Sequence, residues 1–189
     1  MVIKAIVFDC FGVLASSARA VLRNNYPKFK TQIDDICHQY DYGLISRQQF
    51  DDSLAELFGI TPEQIKSRYW GKIIRDEKTI KWVSELKSSG KYKVGMLSNV
   101  GYNFLNSLIS PSEQAELFDE VVLSSDEGLA KPEIAIFELI AKRLGVKTDE
   151  CVMIDDTALN IEAAKNSGMQ GIWFISTDQA KYELNQLLG

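Results

Sequence analysis

The sequence lacks several patterns that mark common classes of protein. Its three cysteines, Cys10, Cys37 and Cys151, are odd in number and form no close pair, which argues against a disulfide framework or a zinc site. No apolar run approaches membrane-spanning length, and the amino terminus carries no signal-peptide pattern. We therefore expect a cytoplasmic protein that does not act in a membrane.

Basic residues are also in short supply. The chain of 189 residues has 21 Lys and Arg against 26 Asp and Glu, a formal net charge of -5. A nucleic-acid partner is not expected, because binding one requires a basic surface. A small anionic substrate remains possible, since the charge of a site need not follow the net charge. The length suits one core domain with an insertion, as a monomer or a small homo-oligomer.

The interpretation of the rest of the chain depends on the stretch at residues 2–14. Residues 2–8 are apolar except for Lys4, and Asp9 and Gly12 follow at once. Such a near-continuous apolar run is typical of a parallel strand that is covered on both faces. Asp9 would then lie at the carboxyl end of a buried strand, where ligands bind in open α/β sheets. It is either a turn or capping residue, or a carboxylate nucleophile.

Residues 15–76 have the pattern of successive amphipathic helices. Ser46 and Gln49 are spaced as a capping box, and Thr61 and Gln64 repeat the arrangement. We predict that this segment is an all-helical insertion.

Strands and helices alternate in the remainder of the chain, which predicts a doubly wound parallel sheet of the α/β class. The core domain would consist of residues 1–14 and 77–189. The predicted strands are 92–97, 121–123, 151–154 and 171–174, and the predicted helices include 103–109, 132–144, 158–167 and 177–188, with a break at 110–111 and a loop at 124–131.

Polar residues follow these strands and one loop. They are Asp9, Ser98, Asn99, Lys131, Asp155 and Asp156. Because the carboxyl ends of parallel strands share one edge of a sheet, we expect these residues to meet in one crevice. Singly, each has an ordinary structural explanation: a turn, a solvated lysine, or a helix cap. Together and in this order, they favour a catalytic site.

The residue types suit phosphoryl transfer. Asp9 could attack phosphorus, the Ser98 hydroxyl and the Asn99 backbone amide could hold phosphoryl oxygens, and Lys131 could offset their charge. The adjacent Asp155 and Asp156 supply the carboxylate oxygens that Mg²⁺ prefers.

Four segments resemble the four motifs of the haloacid dehalogenase (HAD) superfamily of hydrolases. They are Phe8 to Leu14, Leu97-Ser98-Asn99, Ala130-Lys131-Pro132, and Ile154 to Thr157 with Asn160. The resemblance covers nearly the whole chain and implies a Rossmann-like core, with residues 15–76 as the small helical cap that one branch of the superfamily inserts after the first motif. That branch includes sugar-phosphate phosphatases.

The resemblance also implies residue roles. Asp9 would be both nucleophile and metal ligand, with the Phe11 backbone carbonyl and Asp156 as further Mg²⁺ ligands and Asp155 just outside them. Ser98, Asn99 and Lys131 would hold the group that is transferred.

One position departs from the family pattern. Phosphatases of this family usually carry a second Asp, two residues after the nucleophile, that protonates the leaving oxygen and activates water; here that residue is Phe11. General acid-base help of this kind raises the reaction rate by roughly 10²–10⁴-fold.

Three functions follow as hypotheses. The first is a Mg²⁺-dependent phosphatase that forms an aspartyl-phosphate and acts on a small phosphorylated metabolite. The second is a hydrolase like the 2-haloacid dehalogenases, which have an aromatic residue at this position. The third is a catalytically impaired binding or regulatory protein. We favour a metal site, because Asp9, Asp155 and Asp156 would crowd three carboxylates around Lys131.

Overall fold

A five-stranded parallel sheet forms the centre of the protein. A computed structural model describes residues 2–101 and 104–189. Its strands pair in the order β3-β2-β1-β4-β5, every neighbouring pair being parallel. They are β1 (Ala5–Phe8), β2 (Lys93–Ser98), β3 (Glu120–Leu123), β4 (Cys151–Asp155) and β5 (Gln170–Trp173).

Helices connect the strands and build the inserted segment. Those in the described residues are α1 (Ala18–Asn25), α2 (Lys30–Asp41), α3 (Arg47–Phe58), α4 (Pro62–Arg68), α5 (Glu77–Ser89), α6 (Leu105–Leu108), α7 (Pro111–Leu117), α8 (Ser124–Glu127), α9 (Ile134–Leu144), α10 (Ala158–Asn166) and α11 (Thr177–Leu188). Within the described part of the chain, none is both long enough and apolar enough to span a bilayer.

Strand β1 is buried on both faces, as its apolar composition predicts. Ile6 and Phe8 belong to the core on one side of the sheet, where the Phe8 ring meets Trp82 edge-on at 5.2 Å. Val7 belongs to the core on the other side, with Phe137 of α9. Two hydrophobic layers therefore sandwich the sheet, and the predicted doubly wound α/β fold is confirmed.

Residues 15–76 have a hydrophobic core of their own, built around buried Leu22, Ile33, Phe50 and Ile65. The chain enters and leaves this segment through two short stretches of backbone that lie side by side. The Ser16 amide donates to the Ile74 carbonyl at 2.8 Å, and the Asp76 amide donates to the Leu14 carbonyl at 2.8 Å. These features support, as a proposal, the division into a cap of residues 15–76 and a core of residues 1–14 and 77–189.

The local helix signals gave correct starts in the cap. Both predicted capping boxes form, at the beginning of α3 and of α4. Three details of the core differ. Ser110 and Pro111 begin helix α7 instead of only breaking the chain, the predicted loop at 124–131 contains α8, and α9 begins two residues later than predicted. The start of the helix predicted at 103–109 falls outside the described residues.

The capping box of α3 gives a test of the cap. Ser46 accepts from the Gln49 amide at 3.2 Å, and the Gln49 side chain accepts from the Ser46 amide at 2.8 Å. We expect Ser46→Ala to lower the free energy of unfolding by about 1 kcal/mol, measured by urea denaturation. Ser84→Ala, at an exposed position inside α5, is the control and should cost nothing. Equal midpoints for the two variants would contradict the prediction.

Candidate active site

The carboxyl edge of the sheet brings the predicted site residues together. Asp9 directly follows β1, whose last residue, Phe8, is in register with Met96 of β2 and Ile154 of β4. Ser98 and Asp155 are the last residues of those flanking strands. Because β1 lies between β2 and β4, the side chain of Asp9 has polar partners on both sides.

Asp9 is held through one of its two carboxylate oxygens. Oδ1 accepts hydrogen bonds from the Cys10 amide at 2.6 Å and the Ser98 hydroxyl at 2.9 Å, and it lies 2.9 Å from the Lys131 ammonium. Oδ2 accepts no hydrogen bond from the described residues. Burial raises the pKa of Asp9 to about 7 despite the charge of Lys131, and the negative charge of Asp155 adds to the rise.

Lys131 is a buried cation, contrary to the alternative of a solvated lysine. Only 5% of the residue is exposed, and its ammonium bridges Asp9 Oδ1 at 2.9 Å and Asp155 Oδ2 at 2.6 Å. Burial disfavours the charged form, but the two carboxylates outweigh burial and raise the pKa of Lys131 to about 12. The lysine therefore stays charged.

Asn99 fixes the backbone of Lys131. Its side-chain amide donates to the Lys131 carbonyl at 2.8 Å and accepts from the Lys131 amide at 2.9 Å. These two hydrogen bonds tie the end of β2 to the loop that carries the lysine. The side chain of Asn99 thus positions Lys131 in this structure.

Asp155 is fully buried, and both of its oxygens have donors. Oδ1 accepts from the Thr157 amide at 2.8 Å, Oδ2 accepts from Lys131, and the Asn160 amide group reaches both oxygens at 3.1 and 3.0 Å. Asp156, the next residue, is partly exposed. Among the described residues it forms no ion pair, and burial together with the charge of Asp155 raises its pKa.

Asp9, Asp155 and Asp156 form what we call the acidic cluster. One carboxylate oxygen from each lies within 4.8 Å of the other two. Lys131 contacts only the first two of these carboxylates. The donor set is therefore all oxygen, and its three carboxylates outnumber the single positive charge of Lys131 by two. Such a set fits a hard divalent cation.

Gly12 allows Asp156 to reach this position. A Cβ atom at Gly12 would lie 2.1 Å from Asp156 Oδ2, and the backbone of Gly12 has φ of +93°, which favours glycine. The turn after β1 therefore leaves the space that the Asp156 carboxylate occupies, and we call this space the seat of Asp156.

A cavity of about 370 Å³ opens above the acidic cluster, between the core and the cap. Asp9, Ser98 and Lys131 lie at its core end, and Phe11 contributes its partly exposed ring. Arg19, near the start of α1, also lines the cavity.

Arg19 is ion-paired inside this cavity with Asp41, a buried carboxylate at the end of α2. Asp41 was not predicted from the sequence as part of the site. The same is true of Gly12 as the seat of Asp156. No spacing in the sequence identifies these contacts, because cap residues meet the site only through tertiary packing.

The fold and the site define an α/β protein with a carboxylate-rich centre at the edge of a parallel sheet. The chain belongs to the family of haloacid dehalogenase-like hydrolases, whose family model matches residues 3–168. The family resemblance is thereby confirmed, while the roles of single residues stay predictions.

Two relatives match almost end to end. The chain is 26% identical to the sesquiterpene phosphatase of Aspergillus oryzae over 191 residues, 98% of this chain and 97% of the relative. It is 27% identical to the D-ribitol-5-phosphate phosphatase of Bacteroides thetaiotaomicron, over 89% of this chain and 90% of the relative. Other relatives are longer: the chain spans 30% of the drimenol cyclase of Aspergillus calidoustus, to which it is 22% identical over 82% of its own length.

Solved structures show the same fold. A HAD family enzyme of Bacteroides thetaiotaomicron, in complex with magnesium and inorganic phosphate, superposes with a TM-score of 0.72. The two are 24% identical, and the match covers 90% of this chain and 93% of the other.

The seat at Gly12 can be tested directly. We expect Gly12→Ala to displace the Asp156 carboxylate and so weaken Mg²⁺ binding by at least about 10-fold, measured by isothermal titration calorimetry. Gly145→Ala is the matched control, because Gly145 also has a positive φ, +72°, but a Cβ there meets nothing within 4 Å. The control should lose some stability and keep its Mg²⁺ affinity. Unchanged affinity in Gly12→Ala would show that Asp156 does not depend on this seat.

Proposed function

We propose that the chain is a Mg²⁺-dependent phosphatase that acts on a small phosphorylated metabolite through an aspartyl-phosphate at Asp9. One observation carries the proposal. The Asp9 carboxylate faces the cavity with Oδ1 held by donors and Oδ2 left without a hydrogen bond from the described residues, beside the rest of the acidic cluster. Such an oxygen is oriented and available to attack.

The comparisons support the reaction class and the metal. The two relatives that match end to end are a sesquiterpene phosphatase and a D-ribitol-5-phosphate phosphatase. The structural neighbour holds magnesium and inorganic phosphate. Asp9, the Phe11 carbonyl and Asp156 would hold Mg²⁺, with Asp155 behind them. Bound there, the ion supplies positive charge that lowers the repulsion between a phosphate and the carboxylates.

The residues of the chain have distinct parts in the proposed reaction. Asp9 Oδ2 forms a bond to phosphorus as the bond from phosphorus to the leaving oxygen breaks, and the leaving group departs with the electron pair of that bond. Lys131, held by Asn99 and Asp155, offsets the charge of the phosphoryl oxygens, and the Ser98 hydroxyl lies close enough to Asp9 to donate to one of them. A water molecule then attacks phosphorus, releases inorganic phosphate and restores the Asp9 carboxylate.

The crowding of carboxylates favours this reaction over that of a dehalogenase. Lys131 is the buried cation of the acidic cluster among the described residues, and it pairs with two of the three carboxylates. Without a metal ion, an incoming anionic substrate would meet an excess of negative charge. A screen of phosphate monoesters, acyl phosphates and 2-haloacids, with and without Mg²⁺, separates the two reactions.

Asp9→Asn tests the nucleophile. We expect turnover of acetyl phosphate to fall by at least about 10³-fold, because an amide is a poor nucleophile of nearly the same shape. Mass spectrometry of acid-quenched wild-type protein should detect a phosphorylated residue 9 that the variant lacks. A matching circular dichroism spectrum serves as the control for folding. Undiminished turnover in the variant would place the nucleophile elsewhere.

Phe11→Asp tests the missing acid. A carboxyl group two residues after the nucleophile should raise turnover of alkyl phosphates by up to about 10²–10⁴-fold, because alkoxides leave poorly without a proton. It should help 4-nitrophenyl phosphate much less. Phe11→Asn is the matched control, since it removes the ring without adding an acid. Wild-type turnover of alkyl phosphates as fast as that of 4-nitrophenyl phosphate would show that another group already donates the proton.

A further inference from the structure

Five aromatic rings form a continuous series along the cavity, from the cap to the nucleophile loop. We call them the aromatic wall: Tyr40, Phe50, Trp70, Phe104 and Phe11, all of which line the cavity. The centroid distances between successive rings are 4.4, 5.5, 5.5 and 5.5 Å. The series ends at Phe11, two residues after Asp9, so a group bound at Asp9 lies beside the last ring.

The side chains of Arg47 and Asp51 hold rings of the wall in place. The Arg47 guanidinium lies 4.5 Å from the Trp70 ring and 5.0 Å from the Phe104 ring, while its Nε is 3.1 Å from the buried Asp51 carboxylate. The Trp70 indole N–H donates to the same carboxylate at 2.7 Å. Trp70 and Phe11 are the rings of the wall that are partly exposed, and since the polar atom of Trp70 is already satisfied, these two offer the substrate apolar ring surface. The rings of Tyr40, Phe50 and Phe104 are buried and hold them in place.

The wall joins the two parts of the molecule. Tyr40, Phe50 and Trp70 belong to the cap segment, whereas Phe11 and Phe104 belong to the core. A leaving group bound along it would be enclosed by both parts.

The carboxyl groups of the cavity are already committed elsewhere. Those that line it among the described residues are Asp9, Asp156 and Asp41. The first two belong to the acidic cluster, and the third is ion-paired with Arg19. The residue beside the nucleophile, Phe11, has no proton to give. A leaving group in this cavity must therefore depart as an anion of low basicity.

We propose that the substrates are phosphate esters of flat, conjugated hydroxyl groups, that is, of phenols and their heteroaromatic equivalents. This inference rests on the proposed phosphatase function and adds the chemical class of the leaving group. An aromatic leaving group satisfies both observations at once: its ring stacks on the aromatic wall, and its oxygen leaves as a resonance-stabilised anion.

The decisive comparison uses leaving groups of nearly equal acidity and unequal ring area. With Mg²⁺ present, we expect kcat/KM for 2-naphthyl phosphate to exceed that for phenyl phosphate by about 5- to 10-fold, because the second ring buries more apolar surface. Cyclohexyl phosphate, which matches phenyl phosphate in size, should be at least about 100-fold slower than phenyl phosphate, because its alkoxide leaves poorly.

A matched pair of variants assigns the preference to the wall. Phe104→Leu should bring the ratio of naphthyl to phenyl turnover close to 1. Phe58→Leu makes the same change in the cap core, where Phe58 stacks on Tyr26 at 3.9 Å, and should keep the wild-type ratio. The wild-type comparison stands by itself if Phe104→Leu does not fold. Binding of 2-naphthylphosphonate and phenylphosphonate to the Mg²⁺-loaded protein, measured by calorimetry, should show the same order of Kd.

Acetyl phosphate distinguishes a failure of the proposed aromatic substrate class from a failure of the proposed phosphatase function. If it is hydrolysed in a Mg²⁺-dependent manner while naphthyl and phenyl phosphates react equally, or while cyclohexyl phosphate reacts as fast as phenyl phosphate, the aromatic class is wrong and the phosphatase function stands. If neither acetyl phosphate nor any aryl phosphate reacts, the phosphatase function fails and the inference fails with it.

Discussion

The buried ammonium of Lys131 is the constraint around which the site is built. A buried charge is costly unless it is paired, and Lys131 is paired twice, with Asp9 and Asp155. Each carboxylate needs further donors in turn, which the Ser98 hydroxyl and the Asn160 amide provide. Removing Lys131 would leave two buried carboxylates facing each other, and removing either carboxylate would leave the buried ammonium with a single partner, so the network tolerates little change.

The order of the strands makes this network possible. Asp9 follows the central strand β1, and the flanking strands β2 and β4 deliver Ser98 and Asp155 in adjacent register. Lys131 comes from a loop and depends on Asn99, which ties its backbone to the end of β2. Three rigid strand ends and one tethered loop thus place charged groups with a precision that free loops do not reach.

The sequence predicted the parts of this arrangement that depend on local patterns. The apolar run before Asp9 and the boxes at Ser46 and Thr61 identify buried strands and helix starts, because burial and capping leave local signatures. The motif residues directly follow these strands, so the same apolar runs locate them. The pairing of Arg19 with Asp41, and the approach of Phe104 to Phe11, join residues far apart in the chain, and no periodicity encodes such contacts.

The chain enters and leaves residues 15–76 at adjacent points, and this determines which parts of the protein a change in that segment affects. Ala15 pairs with Arg75 in an antiparallel bridge, so the two ends of the 59 residues between them lie side by side. A segment whose two ends lie side by side can lengthen, shorten or be replaced without altering the registers of the sheet or the carboxylates at its edge. Changes within residues 15–76 can therefore alter the shape of the cavity and the rings that this segment contributes to it, while the acidic cluster keeps its geometry.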